Sequence, residues 1–316
     1  MPLYLTEDNV TSLLTMSDAI DTVEAGFKAL AEGQASNVPR TRLRLPNGAF
    51  NMMSAAAPGL GVMGLKAYGA GGGRRGGFHV QLSSTETGEL LAIIEASALG
   101  QIRTGAASGV ATRHMARDDA STVGVIGAGY QSRSQLEAVC GVRDVGRVKV
   151  FSPTKARRDA YASEMGERLG VEVVPVGDAE LFVGDSDIVL VMTNASEPVI
   201  QGEWIGPGTH VNAAGANSQN RRELDIEAVR RADVVAVDDI AQAKTECGDL
   251  LSAVDAGVIR WEHVRGLADV IGGVTPGRKS PNDVTLFESQ GIAIEDIAVA
   301  KHVYEQAKLQ GVGVEL

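Results

Sequence analysis

The chain has 316 residues, 44% of them hydrophobic, which is enough to bury the cores of two domains. Its 38 glycines and 4% aromatic residues favour a turn-rich α/β enzyme and exclude a coiled coil or a disordered chain. The net charge of −11 argues against a nucleic acid or an anionic membrane as partner, so we expect a small-molecule substrate.

Residues 1–117 are expected to form one mixed α+β unit. Ser17 and Asp18 should cap a helix, because apolar side chains recur behind them at helical spacing. A run rich in small residues predicts a second, tightly packed helix over 98–115. Extended segments between these helices are expected at 41–45, 49–53, 64–68, 78–83 and 90–94.

The segment from residue 123 to residue 132 predicts a phosphate-binding turn. Four strand-forming residues end at Gly127, where a side chain would block a tight turn, and Gly129 lets the backbone approach a pyrophosphate at a helix start. Ser132 replaces the third glycine of the usual G-x-G-x-x-G motif and is small enough for close packing. A helix-like stretch and a strand at 147–151 follow, so the context favours a dinucleotide site over an ordinary glycine turn.

The end of that second strand bears on the choice between NAD and NADP. Sites that prefer NAD usually place an acidic residue there to bind the ribose hydroxyls. In this chain the segment that starts at Ser152 contains no acidic residue before Asp159. Hydroxyls and cations suit the 2′-phosphate of NADP, so NADP(H) is the preferred cofactor and NAD(H) the alternative. A solvated helix start would explain the same residues, which are Ser152, Thr154, Lys155 and Arg157.

Residues 118–289 are expected to form an α/β Rossmann domain with a doubly wound parallel sheet. Short apolar runs alternate there with helical stretches, as buried parallel strands and their crossovers require. The final helix, over 292–310, is amphipathic and should pack on the first unit, so the smaller domain (1–117 and 290–316) is discontinuous. The apolar runs lie at 123–126, 148–151, 171–174, 188–192, 211–214 and 234–237.

Several other kinds of site are disfavoured. No apolar run approaches the ~20 residues of a membrane span, and the N-terminus has no signal-peptide pattern, so we expect a cytoplasmic protein. Cys140 and Cys247 are far apart and form no C-x-x-C motif, so both thiols should be reduced. The five histidines lack metal-ligand spacing, and no metal is expected.

Three cations of the first unit stand among apolar or small residues, where an unpaired charge is costly. Gathered in one cleft they would clamp a substrate carboxylate, and the alternative is that each pairs with an internal acid. Arg74 and Arg75 could bind a second acidic group or lie in a solvated turn, while His79 is expected to have a packing or surface role. The three cations are Arg40, Lys66 and Arg103.

Motifs along nearly the whole chain resemble those of the ornithine cyclodeaminase/mu-crystallin family, in family order. The resemblance implies an NAD(P)-binding Rossmann domain, a smaller substrate and dimerisation domain, and a homodimer. The family includes cyclodeaminases, alanine dehydrogenases and ketimine or imino-acid reductases. The motifs are the Lys66 strand, R-T-G-A-A-S from Arg103, G-A-G-Y-Q-S from Gly127, N-A-A-G-A-N from Asn212, R-E-L-D from Arg222, L-F-E-S-Q-G from Leu286, and Glu295-Asp296.

Carried over residue by residue, the resemblance implies that Arg40, Lys66 and Arg103 bind a substrate carboxylate. Lys66 would also exchange a proton with the substrate nitrogen or a bound water, and a like-charge cluster would lower its pKa. The resemblance further implies cofactor contacts at the glycine turn, the strand ends and the loop near the nicotinamide. These residues are Thr104, Gly127, Gly129, Tyr130, Gln131, Ser152, Thr154, Lys155, Arg157, Thr193, Ser289 and Gly291.

One departure from the family pattern bears on the reaction. Cyclodeaminases carry an aspartate where this chain has Asn217, whose amide cannot accept a proton but could orient a substrate nitrogen or a water. We therefore predict an NAD(P)H-dependent reductase of α-imino acids, or the reverse amino-acid dehydrogenase. The alternatives are an ornithine cyclodeaminase with bound NAD and a non-catalytic, crystallin-like binding protein.

Overall fold

A computed structural model of the protein describes residues 1–71 and 77–316, so Arg74 and Arg75 lie outside the described residues. The chain divides into two compact units. Unit 1 comprises Met1–Ala106 and Gly291–Leu316, and unit 2 comprises Ala107–Gln290. The boundary between Ala106 and Ala107 falls inside a helix, whereas the sequence-based boundary after residue 117 lies just beyond that helix.

Each unit contains one β-sheet together with helices. In chain order, the strands are β1 (Leu3–Leu5), β2 (Ser36–Leu45), β3 (Gly48–Ala57), β4 (Val62–Ala70), β5 (Phe78–Ser84), β6 (Leu90–Glu95), β7 (Thr122–Ile126), β8 (Arg147–Phe151), β9 (Glu172–Val176), β10 (Ile188–Val191), β11 (His210–Ala213), β12 (Val234–Val237), β13 (Val264–Gly266), β14 (Thr285–Glu288) and β15 (Val314–Glu315). The helices are α1 (Glu7–Leu13), α2 (Met16–Ala31), α3 (Ser97–Met115), α4 (Tyr130–Val142), α5 (Lys155–Leu169), α6 (Glu180–Val183), α7 (Ile226–Arg231), α8 (Ile240–Glu246), α9 (Gly248–Asp255), α10 (Leu267–Ile271) and α11 (Ala293–Gln310).

Unit 1 is built on a seven-stranded sheet in the order β15-β1-β6-β5-β4-β3-β2. Neighbouring strands run antiparallel except β1 and β6, which are parallel. Every second residue of β3 from Asn51 to Ala57 is buried, and α11 packs on β3, β4 and α2. The predicted apolar face of the last helix is confirmed, because Ile297, Ala300, Val303 and Ala307 are fully buried.

One expectation for the N-terminal helices needs correction, and one helix was not predicted. The cap of α2 is Thr15, whose hydroxyl accepts a hydrogen bond from the Asp18 backbone N–H while the Asp18 carboxylate accepts one from the Thr15 N–H. Ser17 and Asp18 therefore lie inside the helix, and the capping-box pattern Thr-x-x-Asp was the signal to use. Helix α1 was not predicted, because seven residues carry too few apolar positions to show a period.

Unit 2 contains a wholly parallel, eight-stranded sheet in the order β13-β12-β14-β11-β10-β7-β8-β9. The strand order reverses between β7 and β10, and doubly wound sheets bind ligands at such a switch point, outside the carboxyl ends of the strands. The sequence-based sheet lacks β13 and β14. Strand β14 lies in the middle of the sheet, but two of its four residues, Thr285 and Glu288, are polar and conceal it.

Both faces of the unit 2 sheet are covered by apolar side chains. On β10, Val189 and Val191 belong to one core, whereas Ile188 and Leu190 belong to the other. This double burial explains why the parallel strands read as continuous apolar runs in the sequence. The predicted fold class is confirmed: a doubly wound Rossmann domain accompanies a discontinuous α+β unit.

Candidate substrate and cofactor sites

Unit 1 contains a buried cluster of charged side chains around Asp296. The Asp296 Oδ1 accepts hydrogen bonds from Lys66 Nζ at 2.7 Å and from Arg103 Nε at 3.0 Å. Arg103 Nη1 also donates to Glu295 Oε2 at 2.6 Å. All four side chains are at most 8% exposed. The sequence left open whether these cations pair with internal acids. In the structure, Lys66 and Arg103 do.

Two glycines let these cations approach the backbone closely. A Cβ on Gly100 would lie 3.0 Å from Lys66 Nζ, and one on Gly291 would lie 2.6 Å from Arg103 Nη1. Gly291 also has a φ of +74°, and its carbonyl oxygen accepts a hydrogen bond from Arg40 Nη2 at 2.9 Å. Gly291 thus connects Arg40 to Arg103, and unit 1 brings together the three cations predicted from the sequence.

The two buried cations differ in how firmly they hold a proton. Burial lowers the pKa of Lys66 to about 8, and Arg103 and Arg40 act in the same direction while Asp296 opposes them. Burial, not like-charge repulsion, is the largest cause. Burial also disfavours the charge of Arg103, but Asp296 and Glu295 raise its pKa above the ordinary value. Arg103 therefore stays charged, whereas Lys66 can exchange a proton near neutral pH.

Glu295 and Asp296 are candidate residues to which the sequence-based reasoning gave no role. Acids are common in the first turn of a helix because of the helix dipole, so their position in α11 is unremarkable by itself. Their complete burial is the informative feature, and the apolar neighbours Ile294 and Ile297 were the available signal. Asp296 Oδ2 has no hydrogen-bond partner among the described residues, so this carboxylate retains an acceptor position.

An aromatic pair lies beside Lys66. The rings of Tyr68 and Phe78 stack with their centroids 4.7 Å apart, and Lys66 Nζ is 5.9 Å and 5.6 Å from the two centroids. Ring faces attract an ammonium group and add an apolar wall to the cluster. His79, next to Phe78 on β5, is exposed and so occupies a surface position.

In unit 2, β7 ends at the predicted phosphate-binding turn. Gly127 has a φ of +105°, and a Cβ there would lie 2.2 Å from the Met192 carbonyl oxygen, so only glycine fits. Open space surrounds the Cβ position of Gly129, which caps α4 without a side-chain hydrogen bond. The first N–H groups of α4 can therefore bind an anion, and Tyr130 beside them is 41% exposed. This turn fits the pyrophosphate of a dinucleotide.

The start of α4 is held in place by hydrogen bonds. Ser132 Oγ donates to the Gly129 carbonyl oxygen and Tyr161 Oη donates to the Ser132 carbonyl oxygen, both at 2.9 Å. Ser132 is fully buried, as expected for a small residue in the position of the third glycine. Gln131 Oε1 is buried without a hydrogen-bond partner among the described residues, so a polar atom of the turn remains available to a ligand.

The end of β8 carries the residues expected to select the cofactor. Ser152 is 7% exposed, and its carbonyl oxygen accepts a hydrogen bond from Arg158 Nη1 at 2.9 Å. Thr154 caps α5 without using its side chain, Lys155 forms an exposed i,i+4 ion pair, and Arg157 is exposed. Arg158, which the sequence-based reasoning left without a role, is a further cation fixed at this strand end.

The remaining predicted residues lie at other strand ends and on α3. Thr193 follows β10 and donates to Glu223 through both its backbone N–H and its hydroxyl. Ser289 is buried directly after β14, Asn217 is exposed in the loop after β11, and Thr104 is half-buried on α3. Their roles toward a substrate or cofactor stay predictions.

Two other features are absent from residues 1–71 and 77–316. No helix there is both long and apolar enough to cross a bilayer. The same residues contain no group of three or more His, Cys, Asp or Glu side chains that could hold a metal ion. Cys140 and Cys247 are free thiols, the first partly buried and the second buried.

Comparison with known proteins covers nearly the whole chain. The model of the ornithine cyclodeaminase/mu-crystallin family matches residues 2–311. The alanine dehydrogenase of Archaeoglobus fulgidus is 37% identical over 99% of this chain and 98% of its own length.

Two solved structures superpose on both units. Delta(1)-pyrroline-2-carboxylate reductase of Thermococcus litoralis, in complex with NADH and L-proline, has a TM-score of 0.95 and 36% identity over 99% of this chain and 100% of its own. An archaeal alanine dehydrogenase dimer with bound NAD has a TM-score of 0.94 and 36% identity over 100% of this chain and 98% of its own. The chain therefore belongs to the ornithine cyclodeaminase/mu-crystallin family.

Proposed function

We propose that the protein reduces α-imino acids to amino acids with a reduced nicotinamide dinucleotide, and catalyses the reverse dehydrogenation. The gathering of buried cations in unit 1 carries this proposal. The cluster comprises three cations, Arg40, Lys66 and Arg103, and two carboxylates, Glu295 and Asp296. A substrate carboxylate would bind to the cations of this cluster. Burial strengthens that attraction because the surroundings screen charge poorly.

The two arginines are suited to bind the substrate carboxylate. Arg103 is held by two acids and packs against Gly291, and Arg40 is held by the Gly291 carbonyl oxygen. A guanidinium fixed in this way can offer its remaining N–H groups to both oxygens of a carboxylate with little loss of side-chain freedom. The substrate would then be oriented by its carboxylate end.

Lys66 is the proposed proton donor. In the reduction, the imine carbon gains a hydride and the nitrogen gains a proton, so that C=N becomes CH–NH. A bound reduced nicotinamide supplies the hydride. Lys66 gives its proton to the nitrogen, directly or through a water, and regains one from solvent. A pKa of about 8 suits this exchange, because both protonation states are accessible near neutral pH.

Unit 2 supplies the proposed cofactor site. Gly127, Gly129, Tyr130 and Gln131 would hold the pyrophosphate at the start of α4, with Thr193 and Ser289 assigned to the nicotinamide side by resemblance. The relatives described above bind NADH or NAD. For this chain we favour NADPH, because Ser152 stands where a ribose-binding acid would be and Thr154, Lys155 and Arg157 follow it.

Asn217 is proposed to orient the substrate nitrogen or a water. It is exposed after β11, and an amide can donate and accept hydrogen bonds but cannot take up a proton. A cyclodeaminase would need a base in its place, and this is why reduction is the function we favour.

The proposal includes a homodimer formed through unit 1. One relative is an alanine dehydrogenase dimer. Along β2 and β3, Leu43, Leu45 and Phe50 share one face of the sheet and are 52%, 54% and 37% exposed. Such a row of exposed apolar side chains favours association. Light scattering of wild type and of Leu43→Glu tests this, with a dimer expected only for the wild type.

The function is tested by following oxidation of NADPH and NADH by the purified protein. The substrates are 1-pyrroline-2-carboxylate, and pyruvate with ammonia or methylamine, and ornithine is assayed in parallel for release of ammonia. Lys66→Ala is the test variant, and Lys301→Ala, which removes a partly exposed lysine of α11, is its control. Turnover that is lost only in Lys66→Ala supports the proposal. Ammonia release from ornithine without any imine reduction would overturn it.

A further inference from the structure

A buried carboxylate joins the loops that follow β10 and β11. Glu223 is fully buried. Its Oε1 accepts hydrogen bonds from the backbone N–H of Thr193 at 2.6 Å and from the Thr193 hydroxyl at 2.7 Å. Its Oε2 accepts one from the backbone N–H of Gly215 at 2.7 Å. A single side chain therefore connects two strand ends of unit 2.

Glu223 is itself held from behind. Asp249 Oδ1, on α9, accepts hydrogen bonds from the backbone N–H groups of Glu223 and Leu224, both at 2.9 Å. The Glu223 carbonyl oxygen accepts two more, from Val199 at 2.8 Å and from Ile200 at 3.1 Å. The backbone of Glu223 is thus fixed independently of its carboxylate, so the position of the carboxylate sets the position of the two loops.

The loops are packed too closely for side chains at two positions. A Cβ on Gly215 would lie 2.4 Å from the Thr193 nitrogen and 2.5 Å from Glu223 Oε1. A Cβ on Gly127 would lie 2.2 Å from the Met192 carbonyl oxygen and 3.3 Å from Thr193 Cγ2. The phosphate-binding turn after β7 therefore rests directly on the segment that Glu223 holds. A shift of Thr193 would be transmitted to Gly127.

We propose that Glu223 is a positioning residue for the dinucleotide, acting through Thr193 and Gly215. This inference rests on the proposed function only for the identity of the ligand. The carboxylate accepts its three hydrogen bonds from Thr193 and Gly215, so its contribution is to fix the carboxyl ends of β10 and β11 beside the turn of β7. These three strands are neighbours at the switch point of the sheet.

The chain offers a control at the opposite edge of the same sheet. Asp187 precedes β10, and its Oδ2 accepts hydrogen bonds from the Ser121 N–H at 3.0 Å, the Thr122 N–H at 2.9 Å and the Thr122 hydroxyl at 2.7 Å. It joins the amino ends of β7 and β10 as Glu223 joins the carboxyl ends of β10 and β11. Each carboxylate accepts two hydrogen bonds from backbone N–H groups and one from a threonine hydroxyl, and Asp187 Oδ1 also accepts one from Arg117 Nη2. Only the bonds of Glu223 lie at the ligand-binding edge.

The test compares Glu223→Gln with Asp187→Asn. Each amide keeps the size of the side chain and replaces one acceptor oxygen with a donor. Dissociation constants of NADPH and NADH are measured by fluorescence titration, and thermal unfolding is followed in parallel. We expect Glu223→Gln to weaken dinucleotide binding about tenfold and to raise the KM of the dinucleotide more than that of the imine. Asp187→Asn should lower the unfolding temperature and leave binding within about twofold.

Gly215→Ala provides a second route to the same result if Glu223→Gln does not fold. It keeps the carboxylate and forces the two loops apart, so it should weaken dinucleotide binding to a similar degree. Unchanged binding in the folded variants, or equal weakening in Asp187→Asn, would overturn the inference. Failure of the proposed function is distinguishable, because the wild type would then bind the dinucleotide normally and reduce no imine.

Discussion

Buried charges occur in both units, but different groups satisfy them. In unit 1, Lys66 and Arg103 meet the carboxylates of Asp296 and Glu295 at 2.6–3.0 Å. In unit 2, Glu223 takes two of its three hydrogen bonds from backbone N–H groups and the third from a hydroxyl, and Asp249 takes its bonds from backbone N–H groups. A cation paired with acids can still donate its other N–H groups to a ligand, whereas a carboxylate bonded to the backbone fixes the chain. The first arrangement suits substrate binding and the second suits the positioning of loops.

The same burial moves two pKa values in opposite directions. Burial lowers the pKa of Lys66 and raises that of Glu223, in each case to about 8. Both shifts arise because burial disfavours the charged form. Asp296 works against the shift of Lys66, and the hydrogen bonds from Thr193 work against the shift of Glu223. The pKa of each group therefore stays near neutral pH, because its partners favour the charged form and oppose the effect of burial.

Removing the ammonium group of unit 1 should have the largest effect. Lys66→Ala deletes the proposed proton donor and one cation of the cluster, so kcat/KM for imine reduction should fall about 1,000-fold, within the range of general acid catalysis. The dinucleotide dissociation constant should not change. Lys301→Ala is the control and should behave as wild type. A loss of less than about threefold in Lys66→Ala would show that the cluster takes no part in the chemistry.

Breaking the ion pairs of the cluster should cost stability. Asp296→Asn leaves Lys66 and Arg103 without their shared buried partner, and the free energy of unfolding in urea should fall by about 3 kcal/mol. Glu305→Gln breaks an exposed pair with Lys301 on the same helix and should cost less than about 1 kcal/mol. Equal losses in the two variants would mean that the cluster behaves as a surface pair does.

The pH dependence should follow the protonation of Lys66. Reduction requires the protonated form, so its kcat/KM should fall as the pH rises through about 8. Oxidation requires the neutral form, so its kcat/KM should rise over the same interval. Asp296→Asn removes a charge that raises the pKa of Lys66, and the midpoint should move to lower pH. Rate profiles in both directions check this, and parallel profiles would contradict it.

The smallest effect is expected at the end of β8. Replacing both Lys155 and Arg157 with alanine removes two exposed cations, so the KM of NADPH should rise about fivefold while that of NADH stays constant. Arg147→Ala, at the other end of β8, is the control. Equal changes for both dinucleotides would argue that these cations do not read the 2′-phosphate.

The sequence predicted the features of unit 2 that are local along the chain. The strand, the glycines and the start of α4 lie within residues 123–132, so spacing alone indicates the turn. Strand β14 was not predicted because it is short and half of its residues are polar, although both polar residues are fully or almost fully buried. Its place between β11 and β12 depends on long-range pairing that no local pattern contains.

The charged clusters were harder to predict because their members are far apart in sequence. Lys66 and Asp296 are separated by 230 residues, and Thr193 and Glu223 by 30. A charge in an apolar segment indicates that a partner is needed, as it does for Lys66 and Arg103. The sequence does not indicate whether that partner is an internal acid, a backbone N–H group or a ligand. The fold identifies the internal acids and the backbone N–H groups.

The most direct test of the proposed imine reduction is to follow the hydride itself. The protein is supplied with dinucleotide carrying deuterium at both C4 positions of the reduced nicotinamide, together with 1-pyrroline-2-carboxylate, and the proline formed is analysed by mass spectrometry. One deuterium is expected at Cα of the product, which the wild type and Lys301→Ala should form at equal rates and Lys66→Ala about 1,000 times more slowly. Product without deuterium, or no product while ornithine releases ammonia, would contradict it.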